Sequence, residues 1–452
     1  MVQARRNGRQ PATLDPRGPS VRRTLSLLAA GAFGVTATAL LSAPASAATA
    51  PASKTTVVGT CNPSGPQSVQ AAVAAANAGD TLALCAGQTF TENVDITKTL
   101  IITGTGQGTA TNGAVAAHAA PAGSATIKSP TTTSTGRKDI VGVHGSSVTV
   151  TLRDLNISGP LPTTGGLDFN SGLHVYGSAG VDAARLTVDQ IRDTNPDQRG
   201  NQSGDAIVVG DRTRNAGSDT PGRLTIADST VSDYQKTGIL VRTDGSSLTS
   251  TNVTVSRAAD PGRNQGPNGY DLFGNITATI TGGSVSGSTD LASTDFTQDT
   301  GGGVILGTLA GASISIDGTS FSGNDSGLLL QGVEPNTVTV RNTTTTASRF
   351  VGFDSTSDVS GVTFTNNSVT GSGTQQAGSV DVRDDTTGTG TVGTANTYTA
   401  TTCDTSTPTG ICTITPGAAL PEAPLAILLP LGALGAAGVV VGRRRRRVAV
   451  AA

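Results

Sequence analysis

Gly172-Leu-His-Val-Tyr176, Ala206-Ile-Val-Val-Gly210, Gly238-Ile-Leu-Val-Arg242, Gly269-Tyr-Asp-Leu-Phe273, Gly303-Val-Ile-Leu-Gly307 and Gly327-Leu-Leu-Leu-Gln331 repeat one pattern, a small residue followed by an apolar strand core. From one small residue to the next the steps are 206 − 172 = 34, 238 − 206 = 32, 269 − 238 = 31, 303 − 269 = 34 and 327 − 303 = 24. Repeats of roughly 20 to 45 residues mark a solenoid in which each unit packs only on its neighbours. Behind each core comes a second run, such as Arg223-Leu-Thr-Ile226, Asn252-Val-Thr-Val255 or Thr337-Val-Thr-Val340, and often a third, such as Thr230-Val-Ser232. The pattern therefore gives two to three short strands per repeat.

Alternation of Val, Ile or Leu with Thr, Ser or Asn suits strands with one buried face. Hairpin signals such as Asn-Gly are mostly missing between consecutive strands, so the repeats should coil and stack as parallel sheets about 4.8 Å apart. Two features of the corner follow. The recurrent Gly is expected there for its backbone freedom. The residues before it, Ser171, Asp205, Thr237, Asn268, Gly302 and Ser326, form a small, mostly polar column able to hydrogen-bond from coil to coil.

This pattern resembles the right-handed parallel β-helix of the pectate-lyase-like superfamily. The stretch Ser68-Val-Gln-Ala-Ala-Val-Ala-Ala76, running on through Cys85 to Thr99-Leu-Ile-Ile-Thr-Gly104, is similar to the opening turn of such helices. Val69, Ala72, Val73 and Ala76 fall at i, i+3, i+4 and i+7, a short helix with Ser68 placed to cap it. That helix is expected to close the open end of the solenoid, which otherwise leaves first strands and lumen facing water. The fold class is all-β, with the resemblance spanning about 61 to 370.

Residues 1–47 read as a signal peptide: an arginine-rich start, an apolar run from Leu25 to Leu41 and Ala45-Ser46-Ala47 as cleavage site. Arg22-Arg23 resembles a twin-arginine signal, and an ordinary secretory signal fits equally. Residues 48–60 read as a linker, 61–380 as the β-helix with a long loop at 104–137, and 381–424 as a Thr/Gly-rich stalk. Residues 425–442 are expected to be a transmembrane helix, since Leu425 to Val441 is an apolar run of 441 − 425 + 1 = 17 residues. The arginines 443–447 place the tail 443–452 in the cytoplasm by the positive-inside rule. Leu420-Pro421-Glu422 resembles the start of a sortase sorting signal but departs where Thr-Gly should follow, whereas Leu161-Pro-Thr-Thr-Gly165 matches by letters without an apolar run behind it. Export signal, apolar run and arginine tail together resemble a surface-anchored protein of the actinobacterial type.

Only 14% of residues are charged and the formal net charge is −2, so nucleic-acid binding is excluded as a leading class. Four cysteines allow three pairings. Cys61 with Cys85 and Cys403 with Cys412 are favoured as local pairs bracketing the two ends.

Catalytic signals are sparse. Gln202-Ser-Gly-Asp205 and Asp211 are faintly similar to polygalacturonase motifs, but the paired Asp, Gly-His-Gly and Arg-x-Lys of that family have no counterpart, and Asp205 belongs to the corner column. Asp271-Leu-Phe-Gly-Asn275 and Gln298-Asp299-Thr300 resemble pectinesterase motifs in the wrong order, in a chain without Trp. His118 falls in the Ala-rich loop, and His144 just before the expected strand Val148-Thr-Val-Thr-Leu152. His174 should point outward beside Tyr176, three coils and about 14 Å from Asp271. No Ser/His/Asp or Cys/His nucleophile set is evident. The loops carrying Arg199 and Arg263 are expected to wall a groove floored by Tyr176, Arg242 and Phe273. The sequence thus reads as a non-catalytic adhesion or envelope scaffold, with the membrane and a polysaccharide or host surface as partners and no cofactor. The alternatives are a polysaccharide lyase or glycoside hydrolase, under which Ca²⁺ enters, and a purely structural stalk.

Overall fold

The computed structural model describes residues 53–104, 120–130, 139–161, 171–194, 204–210, 220–257, 266–291, 301–307, 311–333, 337–373 and 379–414. Outside the repeat cores apolar residues alternate with hydroxyl residues, whereas the cores are apolar almost throughout, and in both kinds of strand buried apolar residues face a common lumen. Every pairing between these strands is parallel. The chain is a parallel β-helix.

The repeat cores stack into one sheet of 11 strands, from Val94–Ile96 through Asp139–His144, Ser171–Tyr176, Asp205–Val209, Thr237–Val241, Asn268–Phe273, Gly302–Gly307, Ser326–Gln331, Val351–Ser355 and Val382–Asp384 to Ser406–Thr407. We call it the repeat sheet. The remaining strands form a second and a third face. Thr149–Ser158 and Gly180–Asp189 run across both, and Gly180–Asp189 pairs with Arg223–Ala227 along one half and Thr230–Ser232 along the other.

Register is strict because a one-residue slip would turn the apolar set outward. Val141, Leu173, Ile207, Ile239, Tyr270, Val304, Leu328 and Phe353 therefore occupy one lumen column, all of them buried. The Tyr234 and Tyr270 hydroxyls are satisfied inside the lumen by Ser288 at 3.1 Å and Ser250 at 2.9 Å.

The recurrent glycine has a different cause from the one expected. Gly172, Gly238, Gly269, Gly303 and Gly327 are not among the residues of positive φ. What excludes a side chain is stacking: a Cβ on Gly238, Gly269, Gly303 or Gly327 would lie 2.6, 2.4, 2.5 or 2.6 Å from the carbonyl oxygen of the equivalent glycine one coil on. Close approach of backbones, not left-handed conformation, conserves the small residue from coil to coil.

At the N-terminal end the helix Val69–Ala75 lies against the strands Thr55–Val58, Thr81–Leu84 and Val94–Ile96. Ser68 Oγ accepts from the Ala71 amide, and the Glu92 carboxylate accepts from Ser68 Oγ, Val69 N and Gln70 N at 2.7, 2.8 and 3.0 Å. At the other end Lys98 Nζ donates to the carbonyls of Val73, Ala74 and Ala76. Anion at the start and cation at the end is the arrangement the helix dipole favours.

Three boundaries need correction. Thr55–Val58 pairs with Thr81–Leu84, so the solenoid begins inside the segment read as linker. Ala125–Lys128, within the segment read as one long loop, is a strand paired with Thr89–Thr91 and with Ala125-facing Leu155 onward. Strands Val382–Asp384, Thr397–Thr399, Thr402–Cys403, Ser406–Thr407 and Thr413–Ile414 continue the coils through the part of the expected stalk up to 414. Both local disulfides are present, Cys61–Cys85 and Cys403–Cys412. No helix among the described residues is long and apolar enough to cross a membrane. The segments read as signal peptide, transmembrane helix and cytoplasmic tail lie outside the described residues.

Candidate functional site

Three columns of the repeat sheet point away from the lumen. The first, at the strand starts, includes Asp139, Ser171 and Asp205 in register, then Thr237 with Asn268 and Gly302 with Ser326. The second, at mid-strand, runs Asp95, Gly142, His174, Val208, Leu240, Asp271, Ile305, Leu329, Asp354 and Arg383. The third, at the strand ends, holds His144 against Tyr176 and Phe273 against Gly307 and Gln331, with Arg242 beside Phe273.

His174 leaves the lumen as expected, since Leu173 and Val175 face in, and its ring stacks on Tyr176 with centroids 4.2 Å apart. It is nevertheless buried, at 5% exposure. Nδ1 meets Asp139 Oδ2 at 3.0 Å and Nε2 meets the Gly210 carbonyl at 2.8 Å. A carbonyl only accepts, so Nε2 carries a proton. Ser171 Oγ donates to the other oxygen of Asp139. Ser, Asp and His are therefore adjacent in the wrong order for a nucleophile, because the hydroxyl hydrogen-bonds the carboxylate and the imidazole cannot take its proton.

The part of this cluster that reaches solvent is one coil earlier. His144 Nε2 lies 2.8 Å from Asp95 Oδ1, and its ring stacks on Tyr176 at 4.8 Å. Two imidazoles, each held by a carboxylate, thus flank one phenol. Asp95, Asp139 and the role of His144 were missed in the sequence. A signal existed: 171 − 139 = 32 is one repeat step, so Asp139–His144 is a further copy of the core that precedes the first one quoted.

Tyr176, Arg242 and Phe273 share the third column. The Arg242 guanidinium sits 5.1 Å above the Phe273 ring, and a Cβ on Gly307 would meet that ring at 2.3 Å, so both neighbours of Phe273 pack against its ring. Arg199, Arg263, Asp211 and His118 lie outside the described residues.

Asp205 is buried at 3% exposure and occupies the corner column as a hydrogen-bonder to Thr237. Burial pushes its carboxyl up to about 6; the bond from Thr237 opposes this, the Asp271 charge adds to it, and Arg242 and Lys236 work against it. Between pH 4 and 6 the folded chain therefore holds a proton that the unfolded chain has released. Its contribution favours folding fully below the ordinary value and is lost as pH rises through about 6, by roughly 3 kcal/mol in all. Asp205→Asn should therefore match the parent near pH 4 and exceed it in stability by about 2 kcal/mol or more at pH 8. Urea midpoints at the two pH values check this; a difference independent of pH would mean that Asp205 is not the titrating group.

Among the described residues no group of three or more His, Cys, Asp or Glu side chains is placed to hold a metal ion. No family model matches the sequence, and no curated protein matches it. Among solved structures the chain is similar to an alginate lyase from Paenibacillus sp. str. FPU-7, with TM-score 0.35, 14% identity and coverage of 76% of this chain and 97% of that one. It is also similar to tailspike protein 3 of bacteriophage CBA120, with TM-score 0.27, 12% identity and coverage of 71% and 56%. At these scores neither likeness bears on activity, and the fold rests on the strand pairings themselves.

Proposed function

We propose that the chain is an exported, membrane-anchored β-helix whose repeat-sheet face recognises saccharide without cleaving it. The observation that carries this reading is the contrast between two kinds of polar group on one face. Asp139, Asp205, Asp271 and Asp354 are buried, while Asp95, His144 and Tyr176 reach solvent as an aromatic and hydrogen-bonding patch. Hydrolysis by paired carboxylates needs two of them open to the substrate about 5 to 10 Å apart. Recognition needs only an amphipathic ring with directional donors and acceptors near it. Export and anchoring are supported by the residue pattern of 1–47, the apolar run 425–441 and the arginines after it.

One observation favours a second reading. An imidazole held by Asp95 beside a phenol is a proton-transfer pair, which a lyase or hydrolase would need. A screen of the full-length chain against neutral and acidic polysaccharides, with and without Ca²⁺, separates the two. Binding without new chain ends, weakened about tenfold by Tyr176→Ala or His144→Ala, supports recognition. Cleavage that His144→Ala abolishes replaces it with catalysis. No binding at all leaves the structural stalk.

A further inference from the structure

The third face carries six consecutive coils in which every outward residue is Ser or Thr: Thr230–Ser232, Thr254–Ser256, Ser284–Ser286, Ser320–Ser322, Thr344–Thr346 and Ser368–Thr370. Each stacks on the next without slip, Thr230 on Thr254, then Ser284, Ser320, Thr344 and Ser368, with Ser232, Ser256, Ser286, Ser322, Thr346 and Thr370 in the parallel column. The central residue of every strand is buried in the lumen, so its two neighbours project outward, and two per strand over six strands make twelve hydroxyls that reach solvent. They form a lattice with spacings of about 4.8 Å along the solenoid and about 6.8 Å along the strands.

A solvated face does not need this regularity. The second face of the same coils is interrupted by Arg223, Asp317 and Arg341: Arg341 pairs with Asp317 at 2.9 Å, and Arg223 reaches back 3.7 Å to Asp182 on the coil before the array. The third face has no charge across the six coils. An anionic polymer finds no cation there, and a neutral glycan finds no aromatic ring to stack on. The charge complement of such a face is a neutral surface that itself repeats donors and acceptors in two directions.

We propose that the third face binds the surface of ice. Ice presents rows of neutral oxygen atoms, each donating and accepting, at intervals of a few ångströms in two directions. A hydroxyl array meets that pattern, whereas a charged side chain keeps a hydration shell of its own that no lattice site accommodates. The strands hold the rows in place, and Thr, branched at Cβ, keeps its hydroxyl and methyl in few orientations. Little order is then lost on contact, which lets many weak contacts add.

The test uses the full-length chain: ice crystals grown at its surface concentration series are watched for faceting and for a gap between melting and freezing points. The expected result is faceted growth and a measurable gap. Ser286→Lys, at the centre of the array, should abolish both, and Thr279→Lys, on the second face, should keep both, each variant retaining the parent's thermal midpoint. Absence of faceting in the parent overturns the proposal, as does full activity in Ser286→Lys. Should Ser286→Lys fail to fold, Ser256→Asn together with Ser286→Asn replaces it. A parent that dimerises through this face, as judged by sedimentation, and does not shape ice assigns the face to self-association instead.

Discussion

Gly269→Ala should destabilise the solenoid by about 3 kcal/mol, the upper end of the usual overpacking range. The added Cβ would stand 2.2 Å from Val285 Cγ1 and 2.4 Å from the Gly303 carbonyl oxygen. A side-chain methyl can turn away, but the carbonyl belongs to the backbone of the next coil and is tied into the sheet. Relief therefore requires the two coils to separate, with loss of ladder hydrogen bonds and lumen packing on both sides. Gly323→Ala is the matched comparison. Its φ is +59°, yet no atom lies within 4 Å of the new Cβ, so only the left-handed conformation is penalised, at about 1 kcal/mol. Urea denaturation of the two variants decides the matter. Equal losses would show that conformation, not stacking, fixes glycine at the repeat origin.

Arg383→Ala should cost about 3 to 5 kcal/mol, the usual loss when one partner of a buried ion pair is removed. Asp354 and Arg383 are neighbours in the mid-strand column, joined by two parallel hydrogen bonds of 2.9 and 2.7 Å. Burial pushes the Asp354 carboxyl upward, and the Arg383 charge is the first influence opposing it. Without the guanidinium the carboxylate stays buried and uncompensated. Protonation then relieves the strain: the folded-state value moves further above the unfolded one, so the loss is fully felt at neutral pH and shrinks as pH falls. Replacing both residues, Asp354→Leu with Arg383→Met, should recover most of the stability, since neither charge then needs a partner. A double-mutant cycle by urea denaturation checks this, and a double variant as unstable as Arg383→Ala would place the loss in packing.

The coils from 172 to 332 were legible because their lumen is apolar and the alternation that encodes it is unbroken. The last coils were not, for a reason visible in their interior. Column positions filled earlier by Val or Leu become Ser355 and Asp384, and Asp384 accepts from Asn396 Nδ2 and the Tyr398 hydroxyl, each at 3.0 Å. Polar lumen residues satisfied by one another leave no hydrophobic period to read, so the sequence there reads as a stalk although strands continue to 414. The corner column and the remote positions of His174 and Asp271 followed from spacing alone. The Asp95–His144 and Asp139–His174 pairs did not, because each joins residues one coil apart whose identities the repeat leaves free. The glycine was recognised for the wrong reason, since a close approach between coils leaves no trace in a single coil's sequence.

The contact between successive repeat glycines also fixes the pitch of the molecule. A loop at the rim can lengthen without moving the strands, as the unequal repeat steps show, but a shorter rise per coil is closed to backbones already in contact and a longer one would break the ladder between coils. The 11 strands of the repeat sheet, ten steps apart, therefore span about 48 Å, and that span changes only by whole coils. Such a solenoid is graduated: duplication or loss of one repeat resets the reach of its sheet by a fixed increment and leaves every surviving face in its original alignment.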